Sequence, residues 1–306
     1  MIIRERPSGW RLFFILRGSI LSRIKGQLLL TIGLSMLVTW AHGQLFHTKL
    51  TLTPIPFSLI GLALAIFLGF RNNASYDRWW EGRRLWGGLV VHTRVLSRLL
   101  LTHLRDPQAG GGLARRQVLR LIGFCHAFKH GLRGSADGES AAFVADGENQ
   151  GVDFAINAPD AILRKISMDL ARAAARGDVD PTMVVEMERQ LGELAAVQGG
   201  CERIRSTPLP FSYTLLLHRT AYLYCLMLPF GLVDTIGLAT PLVVGLIAYT
   251  FFGLDALGDE IEEPFGVAPN DLPLDALCRR IEIDLLAALG ETELPPPLEP
   301  IDGFLS

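Results

Sequence analysis

Apolar and charged positions are segregated along this chain into long blocks. No Asp, Glu, Lys or Arg occurs from Gly26 to Thr48, nor from Leu50 to Phe70. Downstream, Thr220 to Val233 and Thr235 to Leu254 are again free of charge. A helix of about 20 residues is about 30 Å long, which matches the hydrocarbon core of a bilayer. The blocks predict four membrane-crossing helices in two hairpins, over 27–46, 54–71, 211–232 and 236–254. His218 and Arg219 interrupt the third of them.

Between the hairpins the pattern changes. Over 72–205, Arg and Glu alternate with apolar residues at helical spacing, as in Leu96, Leu99 and Leu100, then Val118, Leu121, Ile122 and Cys125. That period predicts a helical cytoplasmic domain, broken at Asp106–Gly112 and by a Gly/Ser/Asp-rich loop over Gly134–Gly151. No run alternates as a strand would. Residues 206–254 hold the second hairpin. The stretch 255–306 is acidic, reads as a helix, and ends in the extended Pro295–Pro297 segment. A local echo, T-P-I-P-F-S at Thr53–Ser58 and T-P-L-P-F-S at Thr207–Ser212, predicts the starts of the second and third membrane helices, with Thr as cap and Pro in the first turn.

Charge orients the chain. The leader 1–25 carries Arg4, Arg6, Arg11, Arg17, Arg23 and Lys25 against Glu5, and Arg71, Arg78, Arg83, Arg84 and Arg94 follow the second block. The loop between the first two helices has only Lys49. The positive-inside rule puts the N-terminus and the segment after residue 70 in the cytoplasm, with the chain in the cell inner (plasma) membrane and the C-terminus also cytoplasmic. The leader, with Trp10, Leu12, Phe13, Phe14, Leu16, Ile20, Leu21 and Ile24, predicts an amphipathic helix lying on that face. It is too long for a secretory signal, and no small-residue cleavage site follows it.

Composition narrows the function. A hydrophobic share of 49% and a mean hydropathy of +0.31 exclude a disordered chain and argue against a plain cytosolic enzyme. The formal net charge of −2 supplies no basic field for nucleic acid. Cys125, Cys201, Cys225 and Cys278 lack any C-x-x-C spacing and read as buried reduced thiols. No phosphate loop, nucleophile elbow or H-E-x-x-H motif occurs. His126 and His130, four apart beside Cys125, could share a metal on one helix face. A membrane-attached metal-dependent enzyme is therefore the alternative class, but no third ligand is in view.

The second apolar block carries a finer pattern. Leu62, Ile66 and Phe70 form a bulky stripe, while Gly61, Ala65 and Gly69 form a row of small residues beside it. Small residues at that spacing let membrane helices approach closely. The bulky stripe either faces lipid or lines a narrow apolar pore, and spacing leaves both open. The junction from Arg71 to Gly87 holds three tryptophans, a tyrosine and four arginines, as an interfacial belt would.

Three blocks resemble the bestrophin family: P-F-S-L-I-G-L-A-L-A-I-F-L-G-F-R-N-N-A-S-Y-D-R-W-W from Pro56, G-G-C-E-R-I-R-S-T-P-L-P-F-S-Y-T from Gly199, and G-D-E-I-E-E-P-F-G-V-A-P-N-D-L-P-L from Gly258. The resemblance implies an all-α membrane protein, with four transmembrane helices per subunit and a helical cytoplasmic domain, assembled as a homopentameric ion channel and not an enzyme. It places the hydrophobic neck on Leu62, Ile66 and Phe70, and a cytoplasmic aperture at Thr182, where the family usually has an apolar residue. Eukaryotic members carry a calcium clasp in an acidic run after P-F-G. Here Val267, Ala268, Pro269, Asn270 and Asp271 replace it, so no calcium cofactor is expected, and the nearby Glu260, Glu262 and Glu263 are left to cap helices or pair with Arg71–Arg84. The permeants are small monovalent ions. The family is best known for chloride channels, yet Asp178 and Asp180, if they face the inner mouth, would form carboxylate rings that lean towards cations such as sodium. Asp180 is equally placed to cap a helix beginning at Pro181.

Overall fold

The structure is a computed structural model that describes residues 1–3, 9–12, 15, 18–41, 44, 45, 48, 49, 53–105, 112–136, 138–144 and 157–306. Its helices are α1 (Gly9–Leu12), α2 (Leu21–Trp40), α3 (Pro54–His103), α4 (Leu113–Arg133), α5 (Ala141–Val144), α6 (Ala158–Arg176), α7 (Pro181–Ser206), α8 (Phe211–Ile236), α9 (Thr240–Glu262) and α10 (Leu274–Ala288). Two-residue strands, β1 (Gln44–Leu45) and β2 (Thr48–Lys49), pair antiparallel. The chain divides into two compact units, one of 4–79 and 208–264, the other of 1–3, 80–207 and 265–306.

The first unit holds the apolar blocks. Among the described residues, three helical runs are long and apolar enough to cross a membrane: Leu21–Trp40, Pro54–His103 and Phe211–Glu262. The last is folded, since α8 and α9 pack on each other across the turn Gly237–Ala239, where Gly237 has a φ of 54° that favours glycine. Their interior is shared with α2 and α3 through Ile24, Leu64, Leu68, Leu217, Ala221, Cys225, Ala248, Phe251 and Phe252.

Several boundaries differ from the sequence expectation. The first apolar helix lies at Leu21–Trp40 rather than 27–46. It begins just after Ser19, whose hydroxyl accepts a hydrogen bond from the Leu21 amide, and Gly18 at φ 77° separates it from the short α1. The leader is therefore not one continuous amphipathic helix. The second echo, at Thr207, also does not open a helix. Thr207 ends α7, and α8 starts at Phe211 after Pro210, because each proline biases its predecessor away from helical backbone.

The second unit is built on α4, most of whose residues are buried. Gly134 at φ 64° ends α4, and the predicted loop after it contains α5. The break near 106–112 falls mostly outside the described residues, as does 145–156. Pro181 opens α7 with Asp180 as N-cap, as the sequence indicates. The tail after α10 runs extended, and bridges join Ile2 to Phe304 and Ile301 to Phe304.

Candidate functional site: the first half of α3 and its charged end

The first half of α3 has one face committed to its own unit. Gly61, Leu64, Leu68, Arg71 and Ser75 are buried, with Leu64 at 1% and Leu68 at 0% exposure. A helix turns about 100° per residue, so positions two apart lie nearly opposite. Leu62 and Ile66 each stand two residues from Leu64, and Phe70 stands two from Leu68. All three consequently face away from the core, with exposures of 62%, 47% and 61%. The chain's own helices leave this bulky stripe uncovered.

The small-residue row is split between two environments. Gly61 faces α8, where an added Cβ would sit 2.6 Å from the Tyr224 hydroxyl, whereas nothing lies within 4 Å of one at Gly69. Gly61 thus serves packing inside the chain, and only Ala65 and Gly69 remain open on that row.

Immediately after Phe70, Arg71 is fully buried and holds carboxylates of α9. Its guanidinium bonds Asp255 Oδ1 at 2.8 Å, pairs with Asp259, and lies 3.6 Å from Glu262 Oε2. Asp255, Asp259 and Glu262 are spaced i, i+4, i+7, so one face of α9 presents all three. The second Asp255 oxygen is 2.7 Å from His218 Nδ1 on α8. Glu262 also accepts a hydrogen bond from the Leu209 amide at 3.0 Å, and Glu260 pairs with Arg23 at 3.7 Å. The sequence reading missed Asp255 and His218, because Asp255 directly ends an apolar run and reads there as the start of an acidic tail. Its spacing with Asp259 and Glu262 was the available signal.

In the other unit, Asp180 caps α7. Its Oδ1 accepts from the Thr182 amide at 2.8 Å and from the Thr182 hydroxyl at 2.6 Å, and these bonds hold its carboxyl below the ordinary range. Thr182 is exposed in the first turn of α7, with its hydroxyl engaged by Asp180. Asp178 accepts a 2.7 Å bond from Arg176 Nε, so a cation already sits on it.

His126 and His130 sit on α4 in a network of ion pairs. His126 Nδ1 is 2.8 Å and His130 Nε2 3.4 Å from Glu139 Oε2. Lys129, 3% exposed along its side chain, reaches Glu139 at 2.6 Å and Asp275 at 2.9 Å. Arg133 reaches Asp275 at 2.6 Å. Burial works against both carboxylates, but their cationic partners outweigh it and hold each at about 2. The neighbouring Cys125 and Cys278 are free and buried, and burial pushes both thiols up. Among the described residues no group of three His, Cys, Asp or Glu side chains is arranged to hold a metal. In the 264–273 loop, Asp271 Oδ2 is occupied by the Ala268 amide at 2.7 Å.

Comparison with known proteins places this arrangement. Residues 1–287 match the family described as Bacterial/Fungal Bestrophin protein. A voltage-dependent anion channel-forming protein of Mesorhizobium japonicum is 44% identical over 305 residues, covering 99% of this chain and 96% of that protein. The voltage-dependent anion channel-forming protein YneE of Escherichia coli K12 is 42% identical over 301 residues, 98% of each chain. The crystal structure of a bacterial bestrophin homologue from Klebsiella pneumoniae, in a mutant form, superposes with a TM-score of 0.82 at 40% identity, covering 88% of this chain and 100% of that one. With the family match running over nearly the whole chain and the helical fold shared with that structure, the chain belongs to the bacterial bestrophin family of membrane proteins.

Proposed function

We propose that this chain is one subunit of a homopentameric channel that passes small monovalent ions passively through a hydrophobic neck. It would lie in the cell inner membrane as four spans, α2, the first part of α3, α8 and α9, with both termini cytoplasmic. The observation that carries the reading is the stripe Leu62, Ile66 and Phe70, which is bulky, exposed and turned away from its own core. Five copies around an axis would stack three apolar rings about 6 Å apart, a constriction that resists hydrated ions by dewetting. The relatives named as channel-forming proteins support the class, and among the described residues no donor set supports the metal-dependent alternative. Currents from purified protein in planar bilayers test it. Their absence from correctly assembled protein would overturn it.

Ion sign has two readings, each with its own support. The relatives' names point to anions. Rings of Asp178 and Asp180 at the inner mouth, beside a Thr182 aperture, would favour cations. The Arg176 partner on Asp178 weakens that second reading by compensating its charge. Reversal potentials in a salt gradient at low ionic strength decide between them. In the Asp178→Asn, Asp180→Asn variant, a potential equal to the parent's removes both aspartates from selectivity.

The same reading leaves calcium without a role. Calcium takes six to eight oxygens, and Glu260, Glu262 and Asp271 are engaged with Arg23, Arg71 and backbone amides. Currents recorded with millimolar calcium and with a chelator are expected to coincide, and a chelator-sensitive open probability would refute this.

The split glycine row gives a paired expectation. Gly69→Leu, on the open face, would hold subunits apart and lower the pentamer fraction measured by light scattering in detergent. Gly61→Leu would collide with Tyr224 within the subunit and lower its melting temperature instead. A normal pentamer with Gly69→Leu would mean that this face meets lipid.

A further inference from the structure

The inner end of the neck helix is wired to a titratable side chain. One carboxylate, Asp255, bonds Arg71 through Oδ1 at 2.8 Å and His218 through Oδ2 at 2.7 Å. Arg71 is fully buried and follows Phe70, the last residue of the stripe, directly in the chain. His218 is different in kind. Its side chain is 46% exposed, and it lines a cavity of about 310 Å³ together with Arg23, Gln27, Tyr222, Asp255 and Asp259. Water and protons can reach its imidazole while its partner carboxylate stays buried.

Among the described residues, the charged groups around it come from α2, α3 and α9. From α9 come Asp255 and Asp259, with Glu262 completing the Arg71 cluster and Glu260 pairing with Arg23. From α3 comes Arg71, and from α2 comes Arg23. On its own helix Tyr222 packs against the imidazole ring, with centroids 4.3 Å apart.

We propose that His218 is a proton-binding site that sets the channel's ion preference, resting on the pore reading given above. Histidine is the side chain whose charge ordinarily changes between pH 5 and 8. The neutral ring donates Nδ1–H to Asp255. The protonated ring forms a full ion pair with it, so that Asp255 is shared between two cations and its hold on Arg71 slackens. Each subunit then carries one more positive charge close to the inner end of the neck, where it biases the ions that approach. Anions gain and cations lose as the cytoplasmic side is acidified.

The experiment is a set of reversal potentials in a sodium chloride gradient, with the cytoplasmic side at pH 8 and then at pH 5.5. In the parent the chloride-to-sodium permeability ratio is expected to rise about threefold on acidification. In His218→Gln, which keeps a donor at a half-exposed position, the ratio should stay at the parent's pH 8 value at both pH values. In His218→Lys, which is charged throughout, it should sit at or near the acid value at both. A flat parent ratio, or an equal pH shift in His218→Gln, overturns the assignment. Absence of current from the assembled parent at either pH would instead be a failure of the channel reading itself.

Discussion

Alanine in place of Leu62, Ile66 and Phe70 together should raise single-channel conductance roughly tenfold, equivalent to about 1.4 kcal/mol off the permeation barrier. The barrier in an apolar constriction is the free energy of stripping water from the ion, and it falls steeply as the rings widen. Truncation at these positions should leave the subunit's own stability nearly unchanged, since they make little contact with its core. Leu64→Ala, only two residues from Leu62, should behave in the opposite way. It opens a cavity in the cluster with Leu217, Cys225 and Phe252, costing about 2–5 kcal/mol, and should not widen the pore. Melting temperature and single-channel current measured on both variants separate the two faces of one helix. Unchanged current in an assembled triple variant would move the stripe from pore to lipid.

The two faces were only half legible in the sequence. Absence of charge over Leu50–Phe70 was enough to locate the helix, because a bilayer span must exclude uncompensated charge. Absence of charge could not say where the helix stops. The change at Arg71 reads as a membrane boundary, and the span expectation ended there at residue 71. The structure runs α3 on without a break to His103. The buried positions Leu64, Leu68, Arg71, Ser75, Gly82, Trp86, Leu89, Thr93, Leu96 and Leu100 recur at steps of three, four or seven through the charged stretch. That period was present in the sequence and was obscured by composition. Arg71 and Asp255 were hidden for a related reason. Each stands at the edge of an apolar run, and only tertiary packing shows that they neutralise each other. The stripe's turn away from the core follows from helix geometry, which leaves pore and lipid both open, and the resemblance to a family of channels is what favours the pore.

Neutralising Glu139 and Asp275 together should cost the second unit about 3 kcal/mol at pH 7. Lys129 is almost wholly buried, and these two carboxylates are its ionic partners. Removing both leaves a desolvated ammonium uncompensated, a loss of the size measured for broken buried pairs. The Glu139→Gln, Asp275→Asn double variant should therefore melt well below the parent. Adding Lys129→Met should recover part of the difference, because it removes one stranded charge while Arg133, the other partner of Asp275, stays unpaired from it. The pH dependence has a definite sign. Both carboxyls are held at about 2 in the folded unit, below their ordinary 4.5 and 3.8, so the unfolded chain binds the protons first. Their stabilisation is complete above about pH 5 and fades as the pH falls towards 2. Asp275 supplies the larger part, since the Glu139 side chain is 54% exposed and solvent screens its share. Thermal unfolding of the purified protein at pH 7 and pH 3 should show the gap between parent and double variant narrowing at the lower pH. A gap of equal size at both values would mean that the loss comes from packing around Lys129 rather than from its charge.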